Sequence, residues 1–148
     1  MANILIVVGS VTGKALSAAQ AIEQVLAQHH QVSLSTSPSV ADVQNPSLDI
    51  LLAVVSTTGQ GEVPSPLMPW FSEMQDLFPL LPALKFAVVG LGDSSYANFC
   101  GGSEQVENLL LELQARPICD RFKIDALEYY NPVDVAQAWA LEFLPLIS

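Results

Sequence analysis

Basic residues are the scarcest feature of this chain, with 5 Lys+Arg against 15 Asp+Glu in 148 residues and a formal charge of −10. Such a surface repels phosphate backbones and anionic lipid headgroups. It argues against nucleic-acid and membrane partners and favours a basic protein. Cysteine is nearly absent: Cys100 and Cys119 are too few for a disulfide framework or a zinc site, and no metal is expected. His29 and His30 have no ligand-type neighbours and are expected to face the C-terminal dipole of a helix. No apolar run approaches the roughly 18 residues of a membrane span. The first residues lead directly into Ile4 to Val8 without the basic segment of a signal peptide. A cytoplasmic location is the resulting expectation. Repeats, linkers and low-complexity segments are also missing.

Apolar residues are what the chain has in quantity, 51% hydrophobic against 14% charged. At this length a chain buries about 68–70% of its unfolded surface. One domain spanning residues 1–148 with a large, well-covered core is expected, needing neither disulfide nor metal to fold.

Periodicity divides the chain into alternating elements. Asn3 to Val8 is a β-branched run suited to a strand buried on both faces, and Ala15 to Leu26 carries a helical period. Gln31 to Ser35 alternates weakly, as an edge strand does. Ser37 to Leu48, with Pro38 and Pro46, reads as loop with at most one short turn of helix. Ile50 to Val55 is the most continuous apolar run and predicts a central strand. A helix from Pro66, as first-turn proline, to Phe78 would bury Trp70, Phe71, Met74 and Leu77. Phe86 to Leu91 predicts another buried strand. A helix from Gly102 or Ser103 follows, through Val106, Leu109, Leu110 and Leu113. Arg116 to Ile124 reads as an edge strand ending at Asp125. Asn131 before Pro132 predicts an N-cap and first-turn proline for a closing helix through Val135, Ala138, Trp139 and Phe143. Five rounds of strand and helix predict an open parallel α/β sheet wound on both faces, with right-handed crossovers.

Three loops at strand carboxyl ends stand out, and ligands of such sheets bind at that edge. Gly9-Ser10-Val11-Thr12-Gly13-Lys14 joins a strand to a helix, which brings backbone N–H groups and a helix N-terminus to one point. Ser10 and Thr12 add hydroxyl donors, and Lys14 is the only basic residue before Lys85. It is not a Walker A loop, because Val8 stands where that pattern requires its first glycine. Ser56 to Pro64 is the second loop. In the third, Leu91 to Cys100, Gly92 permits a sharp turn and close approach, and Asp93, Ser94 and Ser95 favour turn geometry. Tyr96 and Phe99 place aromatic rings in that loop, an arrangement suited to stacking on a planar ligand held at its polar edge.

With these residues in hand, the chain resembles a short-chain flavodoxin, and its loops are similar to the flavin domains of diflavin reductases such as sulfite reductase. The segments that carry the resemblance are Gly9 to Ala15, Ser56 to Glu62 and Leu91 to Cys100, and the order of elements extends it over essentially the whole chain. It implies a flavodoxin-like three-layer α/β sandwich around a five-stranded parallel sheet in order 2-1-3-4-5. One FMN would be bound and electrons carried singly between proteins. By that resemblance Ser10, Val11, Thr12, Gly13, Lys14 and Ala15 hold the phosphate. Thr57, Thr58, Gly59 and Gln60 border one side of the isoalloxazine. Leu91, Gly92, Asp93, Tyr96, Asn98, Phe99 and Cys100 border the other, and Asp125 lies near the ribityl chain or ring edge.

Two departures from the family pattern bear on affinity. Ala15 stands where the phosphate loop usually closes with a threonine or serine, and Thr58 where many flavodoxins have a tryptophan. Gly59 is the expected point of redox control, since a glycine turns its peptide at little steric cost and its carbonyl can then accept from N5–H of a half-reduced ring. Implied partners are a ferredoxin/flavodoxin-type NADP reductase as donor and acceptor enzymes, met by a monomer without a substrate or catalytic residues of its own. Two rival readings remain: a non-redox interaction protein of the same fold with weak or no FMN binding, and an NAD(P)H quinone reductase.

Overall fold

The apolar runs of the sequence become strands of one sheet. The structure is a computed structural model and describes residues 1–57, 61–94, 99–126, 128 and 131–147. In chain order the elements are β1 (Asn3–Gly9), α1 (Lys14–Leu26), β2 (Gln31–Ser35), α2 (Val40–Gln44), β3 (Ile50–Ser56), α3 (Met68–Leu77), β4 (Lys85–Gly92), α4 (Gly101–Glu112), β5 (Arg116–Pro117), β6 (Phe122–Asp125) and α5 (Pro132–Ile147). The sheet order is β2-β1-β3-β4-β5, with β6 also on β4, and the pairs are parallel. This is the flavodoxin-like 2-1-3-4-5 arrangement.

Parallel strands covered by helices on both faces are apolar throughout rather than alternating. β3 at the centre obeys this: Leu51, Leu52, Ala53, Val54 and Val55 have no exposed surface. On one face Leu5, Val7, Leu51 and Phe86 pack with residues of α2, α3 and α4. On the other, Ile4, Ile6, Leu52 and Val89 pack with α1 and α5. Burying one such side chain contributes about 1.5–3 kcal/mol, so these two layers supply most of the drive to fold.

The fifth strand position differs from the single edge strand expected over Arg116 to Ile124. Phe86 pairs with Pro117 and Val89 with Phe122, so three steps along β4 match five along its neighbour. Two extra residues must bulge between β5 and β6. Pro117 has no N–H for the ladder, and after the Ile118 N–H reaches the Phe86 carbonyl at 2.9 Å the chain leaves the sheet before rejoining at Phe122.

Four smaller expectations are corrected. α3 starts at Met68 rather than Pro66, because backbone bonds from Leu67 to Pro64 and Met68 to Ser65 form turns that first carry Leu67 into the core; Pro69 is the first-turn proline. Its last residue, Leu77, is exposed, so the buried stripe is Trp70, Phe71 and Met74. His30 does not serve the end of α1 as a cation: it is buried, and its Nδ1 accepts the Ala2 N–H at 3.0 Å. In α5 the Asn131 side chain caps the Val133 N–H as expected, but Ala136, Ala140 and Phe143 make the buried line while Ala138 is exposed. Trp139, half-buried, stacks between Phe143 and Phe122 with centroids at 4.6 and 6.0 Å.

Candidate functional site

β1 and β3 are neighbours, yet the helices that follow them cover opposite faces: α1 packs on one side and α3 on the other. A crevice therefore opens at their carboxyl ends, the topological switch point where α/β sheets take ligands. The loop after β1 lies there. Gly13, at the N-cap of α1, has φ +88°, with nothing within 4 Å of where a Cβ would stand. Its N–H donates to Ser10 Oγ at 2.9 Å, which folds the loop and leaves the serine O–H to donate. Among the described residues no side chain caps the first turn of α1, so its unpaired N–H groups face the crevice with the positive end of the helix dipole. Val11, Thr12 and Lys14 are exposed beside it, whereas Ala15 is fully buried and turns into the core.

The three loops are tied to one another rather than merely adjacent. Ser56 Oγ donates to the Gly9 carbonyl at 3.1 Å, joining the second loop to the first. The Thr57 N–H reaches the Leu91 carbonyl at 3.0 Å, joining it to the third. The Thr57 hydroxyl accepts the Gly102 N–H of α4 at 3.1 Å, and Gln105 Nε2 donates to the Gly61 carbonyl at 2.6 Å. The third loop is held in turn by β6. Asp125 Oδ1 accepts the Ser94 N–H at 3.1 Å, and the Ala126 N–H meets the Gly92 carbonyl at 2.8 Å.

Glycines set how closely these pieces approach. A Cβ on Gly102 would lie 2.7 Å from the Glu62 carbonyl oxygen and 3.0 Å from that of Ser56. One on Gly92 would lie 2.9 Å from the Cys100 nitrogen. Cys100 itself is fully buried in a left-handed conformation at φ 56°, and burial pushes its thiol up to about 11. Its thiol is neutral, and its nitrogen and sulfur stand 2.9 and 3.1 Å from where a Cβ on Gly92 would lie. Phe99 is half-buried, with Lys123 Nζ 6.0 Å from its ring centroid.

The expected residues Ser10 to Lys14, Thr57, Leu91, Gly92, Asp93, Phe99 and Asp125 are thus brought to one edge of the sheet. Thr58, Gly59, Gln60, Tyr96 and Asn98 lie outside the described residues. Sequence reasoning missed Gly102, Gln105 and Lys123, and took Ser56 as the start of the second loop without assigning its hydroxyl a role. For Gly102 a signal existed, the Gly101-Gly102 pair opening a helix, since paired glycines there mark close backbone approach. Among the described residues no group of three or more His, Cys, Asp or Glu could hold a metal ion, and no helix is long and apolar enough to cross a membrane.

The donors around Gly13 fit a phosphate: uncapped N–H groups, a serine and a threonine hydroxyl, one lysine, and open space above a left-handed glycine. Topology and these donors together define an α/β protein with a cradle suited to a phosphate group at the switch point of its sheet. The flavodoxin family profile matches residues 6–139, and the chain belongs to that family, itself a standard instance of the switch-point rule. Flavodoxin YqcA of Escherichia coli K12 is 36% identical over 149 residues, covering 100% of both chains. The solved structure of a cysteine-to-serine mutant of the flavodoxin from Pseudomonas aeruginosa is 34% identical, with TM-score 0.90 and 98% of each chain covered. The flavodoxin of Fusobacterium nucleatum, solved bound to flavin mononucleotide, shares the fold at TM-score 0.78 and 16% identity over 98% of each chain.

Proposed function

We propose that this flavodoxin is a single-electron carrier whose cofactor is FMN, loaded by a reductase and discharged to acceptor enzymes. The observation that carries the reading is the stitched set of three loops at the switch point, with an uncapped helix N-terminus at one end. FMN supplies one-electron chemistry when bound, and the protein supplies orientation and electrostatics. Ser10, Thr12, Gly13 and Lys14 hold the phosphate. Ala15 adds no hydroxyl, because its side chain is spent on the core. Leu91, Gly92 and Phe99 border the ring from the third loop, with Asp93 and Asp125 near its polar edge, while Thr57 fixes the second loop against α4. Thr58, Gly59, Gln60, Tyr96, Asn98 and Cys100 complete the set.

The −10 charge directs partner choice. Glu62, Glu104 and Glu128 are exposed near the site, and an acidic rim steers a basic partner without a large, slowly released interface. Donor and acceptor are accordingly basic proteins, the donor a ferredoxin/flavodoxin-type NADPH reductase, met by a cytoplasmic monomer. The visible spectrum of the pure protein with and without added FMN is the test, followed by titration of the apoprotein with FMN and riboflavin. A yellow protein that prefers FMN by more than tenfold agrees with the reading. A colourless protein that ignores added FMN leaves only a fold-sharing interaction protein.

A further inference from the structure

β6 touches the third loop on both sides of residues 95–98. Before them Asp125 accepts the Ser94 N–H at 3.1 Å; after them Lys123 Nζ stands 6.0 Å from the centre of the Phe99 ring. Lys123 and Asp125 are two residues apart on one strand and so project from the same face, opposite to Phe122 and Ile124, which pack with the α1 and α5 layer. Four of the five basic residues have other places. Lys14 opens α1, Lys85 and Arg116 pair at the far end of the sheet, and Arg121 reaches Glu107 at 3.3 Å and Glu104 at 3.8 Å. A cation on the face of a half-buried ring in this loop is not what general solubility requires of so acidic a chain.

We propose that Lys123 is a positioning residue for the site: it holds the Phe99 ring and with it the far end of the third loop, as Asp125 holds the near end. The two side chains bracket the segment that carries Tyr96, one by a hydrogen bond to the Ser94 N–H and one by a cation–ring contact. The role toward FMN rests on the function proposed above. The role toward Phe99 does not.

Two measurements on purified protein separate them: amide exchange at Ser94 and Phe99 in the apoprotein, and FMN titration at low and high salt. Lys123→Met keeps the aliphatic stem and removes the charge, and at an exposed position it leaves the fold intact. It is expected to speed exchange at Phe99 but not at Ser94, and to weaken FMN about two- to fivefold at both salt levels, the range of an exposed cation–ring contact. Lys123→Arg restores both. In a Phe99→Leu background Lys123→Met changes neither, because the ring through which it acts is gone. Wild-type behaviour of Lys123→Met, or an effect that persists in Phe99→Leu, overturns the proposal. Should the wild-type protein fail to bind FMN, the proposed function falls while the Phe99 exchange still decides the role of Lys123.

Discussion

The Gly102 N–H donates to the Thr57 hydroxyl at 3.1 Å, joining the first turn of α4 to the end of β3 across 45 residues of chain. α4 needs this help because no side chain caps it locally: its N-cap is Cys100, in a left-handed conformation. The bond ties the start of the second loop to α4. Thr57→Val keeps the shape and removes the acceptor, stranding a buried donor at a cost of about 1–3 kcal/mol. Thr57→Ser should recover most of the loss. Urea unfolding of the apoprotein reads both, and equal stability of the Val and Ser variants would rule out the bond as a support of α4.

The same contact makes Gly102 intolerant of a side chain. Its missing Cβ would meet the carbonyl oxygens of Glu62 and Ser56, which are backbone and cannot rotate away. Gly102→Ala should therefore destabilise by about 1–3 kcal/mol, as overpacking does. It should weaken FMN as well, since the second and third loops are forced apart. Stability within a few tenths of a kcal/mol of wild type would mean that the loops are not held as tightly as these distances imply.

Strands were legible because parallel strands buried on both faces are written as unbroken apolar runs, as in Ile50 to Val55 and Phe86 to Leu91. The turn after β1 was legible because Gly13 at φ +88° needs a glycine and a helix must start after it. What escaped depends on contacts distant in sequence. The two-residue bulge between β5 and β6 shows only against the register of β4. Ser56 and Gln105 look like ordinary polar residues until their carbonyl partners, Gly9 and Gly61, are seen 47 and 44 positions away. His30 was misread for the same reason: its partner, the Ala2 N–H, comes from the start of the chain rather than from α1.

Gly13 separates backbone strain from steric clash. Nothing lies within 4 Å of its missing Cβ, so Gly13→Ala adds no collision and only the strain of a left-handed residue, about 1–2 kcal/mol. If the loop cradles phosphate, that strain should appear as weaker FMN binding with little change in riboflavin binding. Parallel titrations of the apoprotein would show it. Equal losses for the two ligands would place the phosphate away from this loop.

His30 makes stability depend on pH near neutrality. Its Nδ1 accepts the Ala2 N–H, and among the described residues its buried Nε2 has no partner. Burial first, then the positive amino terminus and His29, lowers its pKa below 6.5. The unfolded chain then takes up the proton more readily than the folded one. The contribution is fully present above about 6.5 and is lost as pH falls from there toward the lowered folded value. The urea midpoint should drop between pH 7.5 and 5.5, before most carboxylates titrate, and His30→Gln should flatten that part of the profile. A wild-type profile already flat there would contradict a buried, neutral imidazole.

The acids near the site sort by structure into those that can meet a partner and those that cannot. Asp125 is buried and holds the Ser94 N–H, so its carboxyl serves the loop rather than a partner. Asp76 sits in the last turn of α3, which runs back toward the amino ends of the strands, and so belongs to the opposite pole. Glu62 is exposed beside the second loop, and Glu104, 57% exposed, begins α4 while sharing Arg121 with Glu107. Attraction from such a rim is screened over about 8 Å at physiological salt, so it speeds encounter most when salt is low. Electron transfer from a ferredoxin/flavodoxin-type NADPH reductase should slow as ionic strength rises. Glu62→Gln should slow it at low salt and matter little at high salt, whereas Asp76→Asn, which removes the same charge from the far pole, should have a smaller effect throughout. Stopped-flow second-order rates across a salt series decide the matter. A rate flat in salt, or equal sensitivity to the two substitutions, would mean that docking is apolar or lies elsewhere, and the acids would then serve solubility alone.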